Sequence, residues 1–144
     1  MHKAIEMFIE RGEESDLIPD GYYNFIEKHD VKFRGTEILL FNDKDGIAGT
    51  CDANADVIDG PKKARVAKNV AIDWKSSKKP TRIHAIKTSW YAVELGCEEA
   101  WVVAFGGTNK QGYSLMKISG AKLHALHNVV KLTRQIVELL RMKS

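Results

Sequence analysis

Two strand-like segments, residues 47–57 and 66–75, flank the turn sequence Asp59-Gly60-Pro61-Lys62-Lys63. The pairing this imposes constrains the fold more than any other feature of the chain. Gly and Pro punctuate the turn. Folded without a bulge about Lys62 and Lys63, the hairpin sets Asp52 directly across from Asp73. Opposed residues in such a ladder have Cβ atoms roughly 4.5–5.5 Å apart, and like charges there repel. Two carboxylates on one rung call for a cation between them. Asp73 opens the triplet Asp73-Trp74-Lys75, after the apolar run Val70-Ala71-Ile72. Side chains alternate with period two along a strand. Asp73 and Lys75 are therefore expected to look out together, with Val70, Ile72 and Trp74 packed behind them. A lysine beside a pair of divalent-metal carboxylates suits hydrolysis of a phosphate ester.

The flanking sequence builds outward from this hairpin. Ile5, Phe8 and Ile9 recur at helical spacing and predict an amphipathic helix over 2–13. Tyr22, Phe25 and Ile26 predict a second over 20–29, with Asp20 as its N-cap after Pro19. A strand over 31–41 precedes the turn cluster Asn42-Asp43-Lys44-Asp45-Gly46, which makes the middle of the chain a three-strand antiparallel meander. Ser76-Ser77-Lys78-Lys79-Pro80 breaks the pattern. A helix over 81–95 follows, with Gly96 as its stop. Strands over 100–105 and 113–118 should pair, and Ser119 can cap a last helix over 121–142. The order α-α-β-β-β-α-β-β-α predicts one α/β domain over 1–144, a mixed sheet of about five strands flanked by helices.

Composition sets the outer limits. Hydrophobic residues make up 44 % of 144 residues, enough for a core and too many for a disordered tail. The net charge of +3 permits a polyanionic partner without demanding one. The basic residues are clustered: Lys62, Lys63, Arg65 and Lys68 around the turn, then Lys75, Lys78, Lys79, Arg82 and Lys87 after the second acid. Cys51 and Cys97 lack metal-type spacing and read as small buried hydrophobes. With no secretory signal or long apolar span, a cytoplasmic setting, or the host cytoplasm for a viral chain, is expected.

Four sequence patterns then fall in a familiar order: His2 on the first helix, Gly49-Thr50-Cys51-Asp52, Ile72-Asp73-Trp74-Lys75-Ser76-Ser77, and Tyr91 on the following helix. In order and spacing the chain resembles the PD-(D/E)XK nuclease superfamily over residues 2–118, and within it the RecB-like branch of phage and prokaryotic exonucleases. That resemblance implies a restriction-endonuclease-like core and a divalent-metal-dependent DNA nuclease. It implies an exonuclease acting in recombination, repair or phage replication. It also implies Mg²⁺ or Mn²⁺ held by Asp52, Asp73, the carbonyl of Trp74 and His2, with Lys75 catalytic beside Asp52 and Asp73. Ser76, Ser77, Lys87 and Tyr91 would contact the nucleic acid. DNA is the expected partner, with a homo-oligomer or a larger recombination or replication complex beyond it and no membrane. The sequence carries no signature of a ring-shaped oligomer.

Physical reasons support these roles. Asp52 and Asp73 are hard oxygen ligands suited to Mg²⁺ or Mn²⁺, and a bare pair so close would push one pKa up. Lys75 would orient the attacking water and offset charge on the phosphate. Lys87 stands four residues before Tyr91, where the family pattern has glutamine. Lysine keeps the donors and loses the acceptor. His2 sits at a chain end, and chain ends fray unless tied down.

Other polar residues have simpler readings. Asn54 and Asp56 share a face with Asp52 by alternation, but read first as polar residues of the hairpin end. Glu37 reads as a strand-edge charge, His124 and His127 as helix surface, and Asp30-Val31-Lys32 as an incidental repeat of the triplet. The alternative to an enzyme is a catalytically weak or inactive nuclease-like module that binds nucleic acid or a protein. A metal-dependent ribonuclease is a third possibility.

Overall fold

The hairpin register is the one the turn dictates. In the computed structural model, which describes residues 1–142, β2 (Ile47–Asp59) and β3 (Val66–Lys75) pair from Asp59↔Val66 to Ala53↔Ile72 without a shift. Continued by one residue, that register brings Asp52 level with Asp73. The remaining elements follow the predicted order. Helices α1 (His2–Arg11) and α2 (Asp20–His29) precede β1 (Lys32–Asn42); α3 (Arg82–Leu95), β4 (Glu99–Ala104), β5 (Ser114–Ser119) and α4 (Gly120–Arg141) follow β3.

The five strands form one sheet in the order β1-β2-β3-β4-β5. Neighbours pair antiparallel except β3 and β4, which run parallel. A parallel pair needs a crossover, and α3 supplies it. The sheet is mixed and flanked by helices, as expected. Two end signals differ in detail. Pro19 occupies the cap position of α2 and Asp20 is its first helical residue. Ser119 precedes α4 but gives it no side-chain cap bond.

The two faces of the sheet are packed differently. Under α1 and α2 lies an aromatic layer in which Tyr22, Phe25 and Phe33 meet Trp74 edge-on, while Phe105 stacks on it. Under α3 the sheet presents small side chains, Cys51, Ala71 and Ala100, against Ala85 and Ala92 of the helix. Small residues on both sides let α3 lie close to β3.

Besides a register shift between Phe33 and Gly35, the alternation of β1 and β2 breaks at one further rung. Cys51 packs on the α3 face and Ala53 on the α1–α2 face, although residues two apart on a regular strand share a face. Their partners are Ile38 and Thr36, so Glu37 lies across from Asp52. Glu37 has φ +47°, a conformation that a non-glycine residue rarely adopts. Both strands thus turn over at Glu37 and Asp52. Asn54 and Asp56, read first as polar residues of the hairpin end, have partners of their own. Asn54 Nδ2 donates to Asn69 Oδ1 at 2.6 Å and to the Val70 carbonyl at 2.9 Å, and Asp56 pairs with Arg34 at 2.9 Å.

Candidate functional site

The β2–β3 ladder ends where the acids begin. Beyond Ala53↔Ile72 the Trp74 N–H donates to Asp52 Oδ2 at 2.8 Å. The side chain of Asp52 therefore takes over where the strand-to-strand pairing stops. Trp74 itself is anchored in the aromatic layer, 2 % exposed, which holds its carbonyl in place.

His2 meets that carbonyl. Its Nε2 donates to Trp74 O at 2.5 Å and lies 3.6 Å from Asp52 Oδ2. Ile5, fully buried under α1, and a Thr36 hydroxyl bond to Glu10 tie the helix to the sheet. These contacts hold a residue near the chain end beside the acids.

Asp73 is the second acid at this end of the strand pair. It was expected to look outward, but it is only 6 % exposed because α3 covers that face. Lys75 Nζ lies 3.1 Å from Asp73 Oδ2, as residues two apart on one strand should. The Thr88 hydroxyl donates to the His84 carbonyl at 2.8 Å and also lies 3.5 Å from Asp73 Oδ2. The Asp52 carboxyl is pushed well above the usual carboxylate range, first by burial, then by its hydrogen bond with Asp73 and the Asp73 charge. The Trp74 N–H opposes the shift and Glu37 adds to it.

Gly49 and Tyr91 explain each other. A Cβ at Gly49 would stand 2.8 Å from Tyr91 Cε1, so the glycine lets the tyrosine ring lie against β2. Burial raises the Tyr91 pKa first, followed by the charges of Asp73, Cys51 and Asp52. Lys87 and Tyr91 share a helix face, as their spacing requires. They line a cavity of about 240 Å³ with Ile47, Ala48, Trp90 and Val130, on the flank of the acids. Ser77 Oγ donates to the Lys79 carbonyl at 3.0 Å and Ser76 is exposed. The loop they form packs on Gly106, where a Cβ would meet Ser76 O at 2.2 Å.

Residues 84 and 88 were not singled out in the sequence. His84 and Thr81 form a reciprocal cap at the start of α3. The His84 pKa is lowered, by burial first and then by Lys75, with Asp73 opposing and Lys87 adding. His84 thus sits in the field of the acids and their lysine. The signal was present: 84, 88 and 91 have the spacing of one helix face. His127, read as surface, instead meets Glu94 at 3.1 Å and ties α4 to α3.

The donor set is hard: two carboxylates, one carbonyl oxygen and one imidazole. Among the described residues no group of three or more His, Cys, Asp and Glu side chains is clustered for a metal. Here the Trp74 carbonyl would supply an oxygen that side chains do not. In chemistry, these oxygen donors are of the kind that Mg²⁺ and Mn²⁺ take.

No family model matches the sequence and no curated protein matches it. Among solved structures the chain resembles one titled "Crystal structure of SSO0001", with a TM-score of 0.43 and 16 % identity. The match covers 81 % of this chain and 56 % of that one, so the chain spans little more than half of that protein's length. No helix among the described residues is long and apolar enough to cross a membrane.

Proposed function

We propose that the chain is a divalent-metal-dependent nuclease that hydrolyses phosphodiester bonds in DNA, in the manner of the RecB-like exonucleases. One observation carries the reading: His2, Asp52, the Trp74 carbonyl, Asp73 and Lys75, drawn from three separate elements, converge on the rung where the β2–β3 ladder ends. Two carboxyls brought together at the end of a strand pair, with the pKa of one raised by burial and by the other, mark a functional site more often than a stable sheet.

Each residue has a role that follows from its position. Asp52, Asp73, the Trp74 carbonyl and His2 would hold Mg²⁺ or Mn²⁺. The ion, when bound, supplies Lewis-acid polarisation of the phosphate and of an attacking water. Lys75, 28 % exposed at its side chain, reaches from Asp73 toward solvent, where it can orient that water and offset charge on the phosphate. Lys78, Lys79, Arg82 and Lys87 are exposed around the start of α3 and suit a polyanion's backbone. The basic turn lies at the far end of the hairpin, on the order of 30 Å away by strand rise, and is not part of this rim.

Purified protein with Mn²⁺ or Mg²⁺ is expected to degrade DNA. Lys75→Ala should lower turnover roughly 10²–10³-fold, and Asp73→Asn at least as much, with melting behaviour retained. A clean preparation that binds DNA in a salt-dependent way but cuts no DNA or RNA with any divalent ion would replace the enzyme with a binding module. Cleavage of RNA alone would make it a ribonuclease.

A further inference from the structure

Helix α4 has two apolar faces, and its own domain uses one. Leu123 is buried, Leu126 is partly buried, and Val130 and Val137 line the groove against α3. The orientation is pinned along the helix by His127 to Glu94 at 3.1 Å and by Arg134 Nε donating to the Gly46 carbonyl at 3.2 Å. That fixes what faces out. Val129, Leu132, Ile136 and Leu139 are exposed by 39, 48, 56 and 67 %. Their spacing of three, four and three is the a/d seam of a heptad repeat, with β-branched residues at a and leucine at d. In parallel coils that choice favours two strands.

We infer that this seam is the interface of a twofold dimer of the chain, formed by α4 packing in parallel on α4 of a second copy. Charge argues for a self-partner. The positions flanking the seam are Asn128, Thr133, Gln135, Leu140 and Met142. All are uncharged, so two identical seams meet without repulsion, and nothing along them selects a partner of opposite charge. Lys131, Arg134, Glu138 and Arg141 occupy the outer heptad positions. Leu140 and Met142, 80 and 70 % exposed, continue the apolar surface beyond Leu139. A groove of about 480 Å³ beside it, edged by the exposed Ile83 of α3, adds apolar surface at the flank. Contiguous apolar patches beyond a few hundred Å² are rare on monomers. A seam under two heptads long belongs at the low end of specific interfaces, roughly 600 Å² per partner, so a micromolar dimer is expected. The inference does not depend on the nuclease reading.

Sedimentation velocity of the full chain from 5 to 200 µM, as experimental settings of about that span, should show the monomer giving way to a dimer. Leu132→Glu with Ile136→Glu should return it to monomer with unchanged circular dichroism. Ile136→Cys should form a disulfide between copies under mild oxidation, because a positions face each other in a parallel pair and the native Cys51 and Cys97 are buried. A wild-type monomer throughout the range overturns the inference. So does a dimer that survives both glutamates. If the double variant fails to fold, failure of the Ile136→Cys variant to cross-link overturns it instead.

Discussion

A pair of acids lies at each end of the β2–β3 hairpin, and the two pairs are balanced in opposite ways. At the turn end, Asp59 and Glu99 meet two lysines. Lys117 Nζ lies 2.9 and 3.1 Å from the Asp59 oxygens, and Lys68 Nζ lies 2.6 Å from Glu99 and 3.5 Å from Asp59. The Trp101 indole also donates to Glu99 at 2.9 Å. Burial alone would raise the Asp59 pKa, but the hydrogen bonds from Lys117 and the Gly60 N–H, with both lysine charges, carry it below its ordinary value. At the other end the one ammonium, that of Lys75, lies against Asp73, and Asp52 is driven up instead of down. Two acids with two cations close a structural network. Two acids with one leave electrostatic repulsion in the fold that a bound cation relieves, which is what a site built for a metal requires.

The largest expected break between the two ends is the response to metal. For Asp52, the folded state holds its proton more tightly than the unfolded chain does. Between the ordinary value of 3.8 and the raised one, the native state therefore binds more protons, and stability falls as pH rises. A divalent ion competes with that proton and reverses the slope. At free Mn²⁺ near 100 times its dissociation constant, the gain is about 2.7 kcal/mol, a melting shift of roughly 5–10 °C for a chain this size. The shift should be larger at pH 8.5 than at pH 5.5, as calorimetry would read it. An equal shift at both pH values, or one that Asp52→Asn leaves intact, would remove the metal from this rung.

The same substitution at the two ends should have opposite signs. Asp59→Asn removes an acid that two lysines stabilise and should cost about 1–2 kcal/mol near neutral pH, discounted for the partly exposed Lys117. Its contribution is present above the unfolded carboxylate pKa and fades as pH falls through the lowered value. Asp52→Asn removes a charge that the fold resists, while its amide oxygen can still accept the Trp74 N–H. The metal-free protein should gain about 1 kcal/mol at alkaline pH, and activity should be lost, the usual exchange of function for stability. Chemical denaturation of both variants at pH 8 with a chelator tests this, and equal losses at the two ends would erase the contrast.

How much of this was visible in the sequence depends on how local the cause is. The Asp52–Asp73 rung follows from the turn alone, because a tight turn fixes the register of everything behind it. The element order follows from periodicity and from Gly and Pro punctuation. The aromatic layer that fixes the Trp74 carbonyl, and the turnover of both strands at Glu37 and Asp52, depend on packing from elsewhere in the chain. The balanced cluster joins Asp59 to Lys117 and Lys68 to Glu99 through strand neighbours that only the parallel crossover creates, so no spacing announces it. His84 and Thr88 were legible as a helix face, but only the crossover says that this face covers Asp73.

The smallest effect probes what keeps the open end dry. Tyr91 lies against Gly49, and a Cβ there would stand 2.8 Å from Cε1 and 3.2 Å from the hydroxyl oxygen. Gly49→Ala gains about 0.4–1 kcal/mol from a stiffer unfolded chain, but overpacking costs about 1–3 kcal/mol. The net expectation is a loss near 1 kcal/mol. In a Tyr91→Leu background the ring is gone, so the same substitution should be neutral or slightly stabilising, a coupling that a double-mutant cycle measures directly. Tyr91→Leu by itself should also admit water to Asp52, lower its pKa toward the ordinary range and flatten the metal-free alkaline slope, while the acid limb set by Asp59 stays put. Additive behaviour in the cycle, with the alkaline slope unchanged, would mean that the burial raising Asp52 comes from the strands themselves and not from the helix laid over them.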